Sequence, residues 1–436
     1  MAHERSENEM PSFSAEVFQN EFISEGSSDV HAIVSVTCSG AGEAGRGGGG
    51  DAAEIIIVDT SGSMLDAKIV AARQAAAVAV DQILDGTWFA IISGTHIATR
   101  AFPYPNARVS MVQMEPGARA AAKEAIGRLE ADGGTAMGSW LKLAAQLFDT
   151  IPQATQRHAI LLTDGQNQSE QPHQFAQAIE AVTGRFQCDC RGVGADWDVA
   201  ELRRVSTALL GSVGLIADPA AMAADFEQLM QTAMSRGVAD ATLKVWAPQG
   251  SQLLWVRQVS PSVEDLTSRA VQLNPLTSAF PTGAWGDESR DYHVAVRVPV
   301  QAVGQERLAA RVQLMVRDQM VAQGMVKVKW SADEEQTTRI DPAVAHYTGQ
   351  AELATAIQEG LAAKAAGDEA TATTKLGRAV ALAAETGNDE ATSRLRKVVD
   401  IDDPATGTVR LKRAVDKLDE MELDSASTKT TRVNKR

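Results

Sequence analysis

The sequence predicts a multidomain protein: a doubly wound α/β domain over residues 51–237, a β-sandwich into which that domain is inserted, and a C-terminal α-helical bundle. Three observations carry this. Between residues 51 and 237, short runs rich in β-branched residues alternate with stretches of helical apolar spacing, the pattern of strands joined by crossover helices. Residues 240–335 switch to period-two alternation interrupted by Pro and Gly, and one early segment, 30–38, has the same texture. Beyond Asp341-Pro342 the chain turns Ala-rich and helical.

The 436 residues leave room for roughly two to four domains, and a composition 44% hydrophobic and 22% charged is ordinary for a globular protein. A formal net charge of −15 argues against nucleic acid and against anionic membranes, both of which are gripped through Lys and Arg. The N-terminus has no apolar signal core, and no apolar run is long enough to span a bilayer. The expectation is a cytoplasmic protein with no membrane insertion.

Residues 1–10 are polar and predicted to be disordered. Residues 11–40 are extended in pattern, and Val30 to Cys38 alternates apolar with polar or small side chains. This segment is assigned to the N-terminal part of the sandwich, whose main part is 240–335. The alternative is a lone strand on the α/β domain. The glycine run 40–50 has no Gly-Lys-Ser/Thr and precedes a strand, so it reads as a flexible linker and not as a phosphate loop.

Glu54-Ile55-Ile56-Ile57-Val58-Asp59 reads as a strand buried on both faces. Thr60-Ser61-Gly62-Ser63-Met64 follows, and from Asp66 the apolar positions recur with helical spacing (Ile69, Val70, Ala77, Val78, Ile83, Leu84). The polar cluster therefore stands at the carboxyl end of a strand, where open α/β sheets place their ligands. A carboxylate and two hydroxyls are hard oxygen donors suited to Mg²⁺, but three donors do not fill its shell. Two later stretches have the right form to complete it: Asp132-Gly133-Gly134-Thr135-Ala136-Met137-Gly138 and Ile160-Leu161-Leu162-Thr163-Asp164-Gly165. Alone, the first stretch reads equally well as a turn whose serines cap the next helix. The three in order weigh for a metal site.

These three stretches resemble the metal-ion-dependent adhesion site of the von Willebrand factor A domain, and the resemblance covers roughly residues 52–235. It implies that Asp59, Ser61, Ser63, Thr135 and Asp164 hold one divalent cation, Mg²⁺ or Mn²⁺, with no departure from the family pattern at any of the five. It also implies a non-catalytic binding module: the ion keeps an open position that an acidic side chain of a partner protein occupies. The layout is similar to bacterial cytoplasmic proteins of this family associated with Ser/Thr protein kinases, phosphatases and forkhead-associated modules. A competing expectation is a regulatory subunit of an ATP-driven, chelatase-like complex, which would need a separate ATPase because this sequence carries no Walker loop. A hydrolase is disfavoured, since there is no Gly-x-Ser-x-Gly elbow and Ser61 belongs to the metal loop.

The remaining elements follow in order. Helices are expected near 67–84, 117–130, 138–149, 172–183 and 198–209, with a last one to about 236; strands are expected at 158–163, at Arg185–Val193 and at 212–217. The pair 88–93 and 97–102 forms an antiparallel edge. Cys188 and Cys190 point to one face of their strand and read as buried thiols. In the bundle, 341–423, helices span 351–366 and 369–385 with Gly367-Asp368 as cap residues, and two more lie near 389–400 and 407–423. The polar, basic tail 424–436 is predicted to be disordered, which makes Thr428, Thr430 and Thr431 candidate phosphorylation sites.

Overall fold

A computed structural model of the chain describes residues 11–42, 52–104 and 110–433. The expected disordered N-terminus, 1–10, and most of the glycine run lie outside these. The chain forms two compact units: one holds Gly40–Ala239 and Gly283–Gly286, the other Ser12–Ser39, Asp240–Thr282 and Asp287–Arg436.

The first strands are β1 (Ser12–Phe18), β2 (Phe22–Ser24) and β3 (Asp29–Ser39). The α/β unit then runs β4 (Ala52–Asp59), α1 (Ala67–Gln82), β5 (Trp88–Gly94), β6 (Ala98–Phe102), β7 (Val112–Gln113), α2 (Pro116–Gly127) and α3 (Met137–Asp149). It continues with β8 (Gln156–Thr163), α4 (Pro172–Val182), β9 (Gln187–Val193), α5 (Val199–Ala208), β10 (Val213–Ile216) and α6 (Met222–Met234). Its sheet order is β10-β9-β8-β4-β5-β6, with β7 also on β5. The pairs from β10 to β5 are parallel, whereas β6 and β7 run antiparallel.

Ile56, Val58, Ile91, Ile160 and Leu162 face one way and pack with apolar residues of α1, α2 and α6. On the opposite face α3 comes close: a Cβ on Gly94 would lie 2.5 Å from the Trp140 ring, so only glycine fits there. With both faces covered, β4 and β8 are continuous apolar runs.

One group breaks this apolar rule. His158 on β8 is paired across the sheet with Glu54 on β4; its Nδ1 lies 2.8 Å from Glu54 Oε2 and its Nε2 2.9 Å from Asp189 Oδ2 on β9. Asp189 Oδ1 accepts from the amide and hydroxyl of Ser212. Burial alone would push the imidazole down, but the flanking Glu54 and Asp189 charges raise its pKa to about 9. Burial likewise opposes the charge of Asp189, yet the hydrogen bond and charge of His158 hold its carboxyl far below the usual range. Cys188 and Cys190 flank Asp189 on the other face, buried, with sulfurs 4.0 Å apart.

The second unit continues with β11 (Val238–Trp246), β12 (Gln252–Ser260), β13 (Glu264–Asp265), β14 (Val271–Asn274), β15 (Thr277–Trp285), β16 (Ser289–Arg297), β17 (Glu306–Val316) and β18 (Gln319–Ser331). One sheet is β1-β3-β16-β12-β13 and another is β14-β15-β11-β17-β18-β2. β3 therefore pairs with β16, Asp29 against Arg297 through Thr37 against Ser289, across the whole α/β sequence. β18 lies against β1 and β3 of the other sheet.

Then come α7 (Pro342–Ala365), α8 (Glu369–Glu385), α9 (Asp389–Val398), a hairpin of β19 (Val399–Asp403) and β20 (Thr408–Leu411), and α10 (Lys417–Ala426). Leu353, Ile357, Leu376, Val380, Leu395, Val409 and Leu423 share one core. The expected helix over 407–423 is corrected: its first part is β20. Val399 to Asp403 alternates with period two, Val409 turns inward and Gly407 sits at φ +70°, which favours a tight hairpin over helix.

The disordered tail is also corrected over the described residues. Thr428 O accepts from Val263 N, Thr430 N donates to Pro261 O, and the Thr430 hydroxyl donates to Val259 O at 2.7 Å. Thr431 Oγ1 accepts from Gln350. Arg432 donates to Ser35 and to the buried Asp291, whose carboxylate also accepts from Tyr347 at 2.5 Å. Strand-like pairing and one ion pair thus hold a segment whose composition suggested solvation. The three threonines lie on an anchored segment and not on a free one.

Deleting residues 1–39 removes β1 to β3, including buried Val30, Ile33, Val34 and Val36, and bares the edge of β16. Limited proteolysis should then digest residues 240–433 and leave a resistant fragment near 52–239. The His158 network gives a second expectation. Its folded pKa is raised from 6.5 to about 9, so its contribution is complete below about pH 6.5 and is lost as pH climbs towards 9. Urea midpoints should fall over that window by the equivalent of about 1–3 kcal/mol. His158→Ala should flatten the slope and cost about 3–5 kcal/mol at pH 7, since it leaves two buried carboxylates unpaired.

Candidate metal centre

β4 and β8 are parallel neighbours, so the residues that follow their apolar runs emerge side by side. Asp59 ends β4, and Asp164 follows β8; both are 0% exposed. Asp59 Oδ1 accepts from the Ser61 amide at 2.7 Å, and Oδ2 accepts from the Thr163 hydroxyl at 2.5 Å. Ser61 Oγ and Ser63 Oγ are 3.0 Å apart, and Ser63 donates to Asp164 Oδ1 at 2.5 Å. Thr135 is buried beside them: a Cβ on Gly165 would lie 3.4 Å from Ser63 Oγ and 3.5 Å from Thr135 Oγ1. Four of the five expected donors thus form one hydrogen-bonded cluster, with the fifth adjacent. Ser63 is exposed, so the cluster opens to solvent on that side.

Backbone bonds fix the loops. Gly62 N donates to Gly133 O, Asp132 N to Thr60 O, Thr60 N to Gly94 O and Ala136 N to Thr95 O. α3 starts directly after Thr135-Ala136 without a cap of its own; Asn167 Oδ1 and Glu170 Oε2 accept from the amides of Met137 and Gly138 instead. These partners lie 30 and 32 residues further along the chain, which holds the Thr135 and Asp164 loops together. Asp66, between the serine loop and α1, adopts φ 59°, a strained conformation next to a site.

Sequence reasoning missed four contributors. Thr163 precedes Asp164 and turns its hydroxyl on Asp59, while Asn167 and Glu170 act as remote caps. Lys68, on the first turn of α1, donates to Asp164 Oδ2 at 2.5 Å. A lysine one helical turn from the serine loop was a readable signal for a cation facing back into it.

The donor set fits a small, hard divalent cation. It is all oxygen, two carboxylates and three hydroxyls, and among the described residues no group of three or more His, Cys, Asp or Glu could hold a softer metal. Burial raises the Asp59 carboxyl to about 6, against the hydrogen bonds from Ser61 and Thr163 that favour its charge. A bound cation would relieve that cost.

Comparison with known proteins bears on the domain and the fold. A family model for the von Willebrand factor type A domain matches residues 53–213, and one for a von Willebrand factor type A C-terminal domain matches 381–427. The structure of a von Willebrand factor type A protein from Catenulispora acidiphila is 47% identical, with 98% of this chain and 99% of that chain covered and a TM-score of 0.92. The ArnB paralog VWA2 of Sulfolobus acidocaldarius shares the fold at 16% identity, with 96% and 98% covered and a TM-score of 0.56. An uncharacterized Synechocystis protein, sll0103, is 28% identical over 216 residues, 49% of this chain; the chain spans about half the length of this curated relative.

The raised pKa of Asp59 has a measurable consequence. Its carboxyl titrates near 3.8 unfolded and near 6 folded, so stability falls as pH rises through that window, and the cost is complete above it. Asp59→Asn removes the charge and keeps the acceptor for Ser61 N, and the Thr163 hydroxyl can reverse to donate to Gly165 O, 3.3 Å away. In metal-free buffer at pH 7.5 the variant should be more stable than wild type by about 1–3 kcal/mol, with the difference vanishing near pH 4. Thermal melts at the two pH values check this.

Proposed function

Because the chain belongs to the von Willebrand factor type A family, whose members generally mediate protein–protein interaction and are mostly not enzymes, we propose that it is a metal-dependent interaction protein. In this reading Asp59, Ser61, Ser63, Thr135 and Asp164 hold Mg²⁺ or Mn²⁺, and a carboxylate of a partner protein completes the shell. The observation that carries the reading is the convergence of five hard oxygen donors at the carboxyl ends of β4 and β8. When bound, the ion would supply a Lewis-acid position, because two carboxylates and three neutral hydroxyls provide five donors and leave one position of an octahedral shell open.

The chain's own residues do the rest. Asp59 and Asp164 balance charge, the hydroxyls set direction, and the pinned loops keep the donors from collapsing on one another. Leu65 and Ile97, 57% and 58% exposed, stand on two of the loops that build the site and offer apolar contact beside the partner's carboxylate. Among the described residues no helix is long and apolar enough to cross a membrane. We place the protein in the cytoplasm, as an adaptor in Ser/Thr kinase signalling with a kinase, phosphatase or forkhead-associated protein among its partners. We also read the two sheets of the second unit as one sandwich into which the α/β domain is inserted, followed by a helical bundle.

Calorimetric titration should show Mg²⁺ or Mn²⁺ binding at millimolar concentration or below, and Asp59→Ala should lose it while keeping the fold. Partner capture from cells should disappear with EDTA and with Asp59→Ala. Capture that survives both, together with no metal binding by the wild type, overturns the adhesion reading. Metal-dependent partners without any kinase, phosphatase or phosphothreonine reader overturn the signalling context alone.

A further inference from the structure

The ammonium of Lys68 stands between two carboxylates of opposite character. It donates to Asp164 Oδ2 at 2.5 Å and lies 3.9 Å from Asp196 Oδ2; Asp164 is 0% exposed and Asp196 74%. The other Asp164 oxygen is taken by the Ser63 hydroxyl, so both oxygens of this metal-facing carboxylate are engaged by donors. A divalent cation at Asp164 would have this ammonium within a few ångströms, where like charges repel strongly at the low dielectric of a buried site.

We propose that Lys68 is a built-in counter-cation of the metal site, holding Asp164 while no divalent ion is bound and moving to Asp196 when one enters. The inference rests on the metal reading of the same site. The move is short, because Lys68 is a flexible four-carbon side chain that is already 27% exposed and within 4 Å of its second partner. The exchange is uneven: a buried partner is given up for an exposed one, and exposed pairs contribute little. Lys68 therefore weakens the ion's affinity in the absence of a partner. A partner carboxylate at the ion places negative charge beside the displaced ammonium as well as on the metal, so ion and partner reinforce each other's binding reciprocally.

The test is calorimetric titration of Mn²⁺ into four proteins: wild type, Lys68→Met, Asp196→Asn and the double variant, with circular dichroism for folding and Lys68→Gln as a second replacement should Lys68→Met not fold. Lys68→Met should bind about tenfold or more tightly than wild type. Asp196→Asn should bind about two- to threefold more weakly in the wild-type background and show no effect in the Lys68→Met background, since it acts through the lysine. Equal or weaker binding by Lys68→Met, or an Asp196→Asn effect that persists without the lysine, overturns the inference and leaves the metal site standing. No Mn²⁺ binding by any of the four overturns both.

Discussion

The α/β unit is organised around two like charges that the sheet brings together out of water. β4 and β8 are adjacent and parallel, so Asp59 and Asp164 meet at their carboxyl ends, each wholly buried. Buried carboxylates must be hydrogen-bonded, paired or protonated. The surrounding groups meet that requirement: the Ser61 amide and Thr163 hydroxyl on Asp59, the Ser63 hydroxyl and Lys68 ammonium on Asp164. The apolar runs beneath, sealed on both faces by helices, keep the two carboxylates from separating.

The same two strands carry a second buried charge cluster nearer their amino ends, and the contrast decides which end is functional. Glu54, His158 and Asp189 form one set, with an imidazole between two carboxylates and Ser212 donating to the second oxygen of Asp189. Perturbed pKa values mark both clusters, so they alone do not discriminate. Exposure does. The histidine set is buried and has its own cation covalently in place, whereas the aspartate cluster opens through Ser63 and is balanced by a long side chain that can leave.

The loops of the candidate metal centre and most of the α/β order were legible because the information is local: an apolar run, a carboxylate with two hydroxyls, then helical spacing. The strand at 30–38 was legible as a strand for the same reason, and its texture pointed to partners within 240–335; that β16 is the strand it pairs with comes only from the fold. What stayed hidden depends on contacts distant in sequence. Glu54 looked like the polar boundary of a strand, and only its register against His158 makes it half of an ion pair. Lys68 drew no reading from the sequence, and its contact with Asp164, 96 residues further along the chain, is visible only in the fold. The 407–423 segment misled because its second half is helical and its first half is short enough to fit either period.

The tail failed for a related reason, and its anchoring joins the sequence-distant parts of the second unit. Arg432 reaches Asp291 on β16, 141 residues away, and also Ser35 on β3. Tyr347 of α7 donates to the same carboxylate. One buried aspartate therefore ties together an N-terminal strand, a central strand, a helix and the C-terminal segment. A basic tail read by composition alone is a solvated one, because its charges have no visible partner. Here the charge has a buried carboxylate as its partner, and the threonines beside it are held by their own bonds to Val259, Pro261, Val263 and Gln350, none of which composition reveals.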